Sequence, residues 1–187
     1  MKIYEAIYYY MLSPKEAIKK ELKLEYALII YLIASISISI SALITIGNKS
    51  SIFKLLILIF GISAYIAISN IIKIAVINLA TTLLDIYNKN YIKKFIKNYF
   101  AIYAIFIFIL PISLIFIKSS ALFFIQAICF IIFQIYYFFI SYYNIKESFN
   151  INSASKAFII LLSPIIIDYL TYISLIILIF GVFINSL

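Results

Sequence analysis

Lys73 and Asp168 each interrupt a long apolar run of this chain. A charged group inside an apolar medium is costly, and opposite charges in separate runs invite an ion pair across two helices. The alternative leaves each alone, with Lys73 snorkelling its stem toward water and Asp168 neutral or meeting water. Four amides, Asn70, Asn78, Gln126 and Gln134, accompany them inside apolar runs. Gln126 and Gln134 are eight positions apart, so a helix sets them about 12 Å apart on one face. Such amides either form a polar track for a solute or bond neighbouring helices, and the structural use is the commoner. Ser35, Ser37, Ser39 and Ser41 alternate with isoleucine. On a helix they make two i,i+4 pairs on nearly opposite faces, suited to close helix contact and to bonding back onto carbonyls.

Enzymatic chemistry has little to work with. There is no histidine and one cysteine, Cys129. That excludes a Ser-His-Asp triad, an HExxH site, the usual Cys/His zinc sites and a disulfide within the chain. No glycine-rich phosphate loop and no paired aspartates occur in the apolar runs. A Ser-Lys arrangement around Lys73 has no particular serine to supply it. The reading is a protein that is not an enzyme, with no catalytic residue, cofactor or metal, and with Cys129 as an apolar side chain facing lipid or the bundle.

The elements that carry these residues are transmembrane helices. The chain has 187 residues, of which 66% are hydrophobic and 12% charged. Soluble domains are nearer 45–50% apolar and about 25% charged. A span needs about 20 apolar residues, and five stretches qualify, at 26–46, 52–80, 99–117, 121–143 and 157–184. The second stays apolar to Leu84 and is longer than a bilayer requires. Turns are expected at Gly47–Ser51 and Lys118–Ser120. Pro111 and Pro164 are expected to kink the third and fifth spans. The fold class is all-α, a polytopic bundle of residues 26–187 preceded by a cytoplasmic or interfacial segment, 1–25. No signal-peptide cleavage site follows the first apolar run.

Lysine placement orients the bundle. The segment before the first span holds Lys2, Lys15, Lys19, Lys20 and Lys23; the loop after the second holds Lys89, Lys93, Lys94 and Lys97; that after the fourth holds Lys146 and Lys156. The opposite side holds Lys49, Lys54 and Lys118. The positive-inside rule then puts the N-terminus in the cytoplasm and the C-terminus outside. The net charge of +8 therefore reflects topology and attraction to anionic lipid headgroups rather than nucleic acid. Tyr99, Tyr103, Tyr142 and Tyr143 belong to an interfacial aromatic belt. Ser13-Pro14-Lys15-Glu16 reads as a capping box opening an interfacial helix that leads into the first span.

A Leu-Ser-Pro element and a short charged helix precede the first span. Tyr91-Ile92-Lys93-Lys94-Phe95-Ile96-Lys97-Asn98-Tyr99 then enters an aromatic span containing Pro111. Tyr143–Phe149 and Ser153–Phe158 precede a last span with Pro164. This arrangement resembles the Yip1 family of five-span integral membrane proteins. The resemblance implies a helical bundle with a cytoplasmic N-terminus, and eukaryotic members are associated with vesicle traffic and prenylated small GTPases. The chain departs from the family in having almost no domain before the first span. It also has Leu84–Asn90 where a glycine-rich patch is often found. It looks like a short prokaryotic-type member, which implies a multi-pass protein of the cell membrane.

Two functions follow. The first is a non-catalytic membrane-organising or partner-binding protein, with Lys89, Lys93, Lys94 and Lys97 meeting anionic lipid or a partner. That partner is another membrane protein or a second copy of the chain. The second is a small transporter or channel subunit with a polar path near Lys73 and Asp168.

Overall fold

The computed structural model describes residues 1–46, 52–86, 88–116 and 120–184. The expected turn at 47–51 and most of that at 118–120 lie outside the described residues, as do Lys49 and Lys118. Among the described residues the chain is helical with no strand. In order come α1 (Ile3–Leu12), α2 (Pro14–Lys19), α3 (Leu24–Ile46), α4 (Ile52–Leu83), α5 (Lys89–Ala101), a 3₁₀ helix (Ile102–Phe108), α6 (Ile109–Phe116), α7 (Ser120–Ser148), α8 (Ala154–Leu162) and α9 (Ile165–Ile184). Five stretches are long and apolar enough to cross a bilayer: Leu24–Ile44, Leu55–Leu83, Lys89–Ile115, Phe124–Ser148 and Ala154–Thr171. The protein is a multi-pass helical membrane protein.

The first and third spans form the centre: half of an 18-residue apolar stretch in each is buried, against 17%, 11% and 17% in the second, fourth and fifth. The outer three therefore present most of their side chains to lipid. One core cluster joins Tyr31 and Ala34 of α3 to Ile62 and Ile66 of α4, Phe95 and Tyr99 of α5, and Ile145 of α7. A second joins Ala6 and Tyr10 of α1 and Ile18 of α2 to Ala27 and Ile30 of α3, with Ala101, Ile102 and Ala104 beside them.

Serine hydroxyls explain how Pro111 and Pro164 are tolerated. Pro111 has no N–H, so the Ile107 carbonyl four residues earlier loses its helical partner. The Ser37 hydroxyl donates to that carbonyl at 2.9 Å and accepts from the Leu110 N–H at 3.2 Å. Pro164 likewise frees the Ile160 carbonyl, and the Ser163 hydroxyl takes it at 2.8 Å. Ser39 faces the other way, toward Ser63 of α4 at 3.0 Å, and Ser41 bonds Ser113 of α6. The two serine pairs thus serve two different neighbours. Ser37→Ala is expected to cost about 1–3 kcal/mol, because it strands a buried carbonyl and an N–H. Equilibrium unfolding in mixed micelles measures it, and an unchanged midpoint would remove Ser37 from this role.

Three local expectations change. Lys89–Lys97 is a helix, not a loop. Asn88 caps it, its side chain accepting from the Asn90 N–H at 2.9 Å, and no Gly or Pro interrupts it. Lys89, Lys93 and Lys97 share one face while Phe95, Asn98 and Tyr99 are buried on the other. The third span accordingly extends back to Lys89. The Ser13 box does not form, since Ser13 makes no side-chain cap bond. Its backbone N–H already closes α1 on the Tyr9 carbonyl at 2.8 Å. Nor does α2 run into the first span: it stops at Lys19, and the chain re-enters a helix at Leu24. Helices α4 and α7 end with Asp85 and Asn150 in the left-handed region (φ 56° and 51°). The Ile86 N–H reaches the Thr81 carbonyl and the Ile151 N–H the Lys146 carbonyl, both at 2.9 Å. These are Schellman-type ends with Asp and Asn in the usual glycine position.

Candidate functional site

Asn70 is fully buried near the middle of α4. Its Nδ2 donates to the Tyr31 hydroxyl at 3.0 Å. Its Oδ1 accepts from the hydroxyls of Tyr99 at 2.9 Å and Tyr103 at 2.7 Å. One amide therefore ties the first, second and third spans together. The Tyr31 and Tyr103 rings meet edge-on at 4.9 Å, and Tyr103 meets Tyr137 of α7 at 5.3 Å. This corrects the interfacial assignment of Tyr99 and Tyr103. Both are buried, because an amide in an apolar core needs hydrogen-bond partners.

Lys73 lies one turn further along α4. Its Nζ is 2.5 Å from an Asp168 carboxylate oxygen on α9. The Ser163-Pro164 break explains the position of Asp168. It starts a new helix inside the fifth span, and Asp168 lies in the first turn of that helix, where the helix dipole favours negative charge. A second rung, Ser69 to Thr171 at 2.5 Å, lies one turn away and runs antiparallel.

The pair borders a half-open recess of about 120 Å³, large enough for several waters or one small solute. Tyr99 and Phe95 of α5, Tyr137, Phe138 and Ser141 of α7, and Leu161, Leu162 and Ile165 of the fifth span line it with Ile77. The Ser141 side chain is buried, and among the described residues its Oγ has no hydrogen-bond partner.

The other sequence candidates lie elsewhere. The Asn78 Oδ1 is buried without a partner among the described residues and does not line the recess. Gln126 donates to Ser113 at 2.8 Å, a helix-to-helix bond. Gln134 is half-buried on α7, away from the recess. The lysines of α5 stand at one end of the bundle: Lys94 reaches the Glu147 carbonyl at 3.4 Å, and Lys89 and Lys93 are exposed. At that end an unforeseen network holds the N-terminal hairpin. The Tyr10 hydroxyl donates to Asn98 Oδ1 at 2.6 Å. The Asn98 amide donates to the Ile18 carbonyl and Ser148, and Ser148 donates to Asn144. Burial pushes the Tyr10 hydroxyl above its ordinary pKa.

No family model matches this chain, and neither does any curated protein or solved structure. Among the described residues, no three His, Cys, Asp or Glu side chains gather where they could hold a metal ion.

Proposed function

We propose that this is a non-catalytic membrane organiser of Yip1 type, held in the bilayer with its lysine-rich end toward the cytoplasm. The observation that carries this reading is α1. Ala6 and Tyr10 seat it against Ala101, Ile102 and Ala104, beside the third span. Tyr4, Tyr8 and Leu12 form an outward stripe at i, i+4 and i+8, with exposures of 65%, 59% and 65%. Lys2 and Glu5 are the charges at its start, and Lys15, Lys19, Lys20 and Lys23 follow it with Glu16 and Glu21 among them; Lys20 folds back over the Tyr9 ring at 3.4 Å. An apolar stripe beside a lysine cluster fits one leaflet: rings among acyl chains, ammonium groups at anionic headgroups. A short helix wedged into one leaflet changes local packing of the lipids, which is a means of organising a membrane.

The chain has no tryptophan, so a single introduced one reports its own surroundings. In vesicles containing anionic lipid, Tyr8→Trp and Leu12→Trp are expected to fluoresce at shorter wavelength than Asn152→Trp and to be quenched by lipids brominated in the acyl chain. Quenching of Tyr8→Trp by aqueous iodide as strong as that of Asn152→Trp would overturn the reading.

A second reading, a small transporter, is favoured by the recess. Transporters place half-helix starts and charged side chains around a cavity at membrane depth, and Asp168 lies in the first turn of the half-helix α9, ten residues beyond Phe158 in the fifth span. Uptake by vesicles containing the purified protein tests it.

A further inference from the structure

We infer that the recess beside Lys73 and Asp168 is a binding site for a small zwitterion of the α-amino-acid type with an apolar side chain. The inference rests on the recess that also favours the transport reading, but it requires binding only, not carriage.

The wall contains one cation and one anion, so its net charge is zero, and a ligand of net charge would be repelled by one of them. The two charges lie in contact at 2.5 Å. A ligand with its ammonium and carboxylate on the same carbon matches that spacing in reverse order. Its ammonium faces Asp168 and its carboxylate faces Lys73, giving a closed ring of four alternating charges. In a low-dielectric surrounding such a ring is far stronger than in water.

The groups have capacity to spare. An ammonium has three N–H donors, a carboxylate about four lone-pair sites, and the Asp168 side chain is 38% exposed. Ser141 is the independent sign of a ligand. It is only 7% exposed, it lines the recess, and its Oγ has no partner among the described residues. Buried hydroxyls are almost always bonded. A ligand carboxylate at Lys73 would accept from it. Much of the remaining wall is apolar, with Phe95, Phe138, Ile145, Leu161 and Ile165 beside the rings of Tyr99 and Tyr137, and suits an aliphatic side chain.

The test uses the full chain in lipid nanodiscs, titrated with L-valine, L-leucine, L-leucine methyl ester and 5-aminovalerate. Binding is read by calorimetry and by thermal shift. Leucine or valine is expected to bind and stabilise. The ester, which lacks the carboxylate, and 5-aminovalerate, whose charges are far apart, are expected to bind at least about tenfold more weakly, since a bond to a charged group is lost or misplaced. Ser141→Ala is the deciding variant. Without ligand it is expected to melt no lower than wild type, because an unbonded hydroxyl has been removed, yet to bind leucine about tenfold more weakly. No binding by any zwitterion, or equal binding of leucine and its ester, overturns the inference. So does a Ser141→Ala protein that binds leucine as wild type does. Leucine binding without uptake into vesicles leaves the site standing and removes only the transport reading.

Discussion

Asn70→Leu is expected to destabilise the bundle by about 2–5 kcal/mol, because each stranded buried donor costs about 1–3 kcal/mol. The two donors are the hydroxyls of Tyr99 and Tyr103, which share Asn70 Oδ1. Tyr31 loses the amide that donates to it. In membranes individual interhelical bonds average only about 0.6 kcal/mol, since the separated helices find other partners. Here the Tyr31 and Tyr103 rings meet edge-on and those of Tyr99 and Tyr103 are tilted, which holds both hydroxyls beside the amide; the Tyr137 hydroxyl is also within their hydrogen-bonding reach, so the loss is expected toward the lower end of that range. Tyr103→Phe should cost about 1 kcal/mol or less, because Tyr99 still satisfies the amide oxygen. Combining Asn70→Leu with Tyr99→Phe and Tyr103→Phe should recover most of the loss, since removing both sides of a buried bond can be nearly neutral. Unfolding in mixed micelles measures all three. If Asn70→Leu unfolds at the wild-type midpoint, the amide is not what joins the first three spans.

This site shows what a sequence does and does not disclose. The spans are legible because length and apolarity in a bilayer leave helix as the available form. Helical rise from two span ends puts Lys73 and Asp168 at one depth, and the four alternating serines announce two faces. The partners of Asn70 are hidden. Tyr99 and Tyr103 satisfy the aromatic-belt rule as well as they satisfy a buried amide, and only the approach of α3, α4 and α5 decides between them. Ser141 is one more small polar residue until its neighbours are known. The lysines at 89, 93 and 97 did carry a helical signal, a spacing of four, which a charge count alone passes over.

The α1–α2 hairpin was opaque for a related reason. Its apolar residues fit an interfacial helix, but Ala6, Ala17, Ala101 and Ala104 are all fully buried. Small residues let backbones approach closely in membranes, and here they let the hairpin close on the third span. Tyr10 then reaches Asn98, which turns an accessory segment into part of the core.

Breaking the Lys73–Asp168 pair from its two sides should give unequal losses. Asp168→Asn leaves an ammonium whose side chain is 10% exposed, and a buried charge stripped of its partner costs about 3–5 kcal/mol. Lys73→Met leaves a carboxylate that opens on the recess and sits in the first turn of α9, so about 1–2 kcal/mol is expected after the dipole and water have compensated. Inverting the pair, Lys73→Asp with Asp168→Lys, should recover only part, because it places an ammonium at a helix start. A double-mutant cycle is expected to show coupling of about 1 kcal/mol or more, and zero coupling would dismiss the contact as a stabilising one. The apolar double replacement, Lys73→Met with Asp168→Leu, carries the sharper outcome. Apolar groups of similar size often match or exceed a buried ion pair in stability. That protein should therefore fold as firmly as wild type. If it also loses leucine binding, the ion pair serves the ligand rather than the fold; if it binds leucine unchanged, the charges have no part in the site.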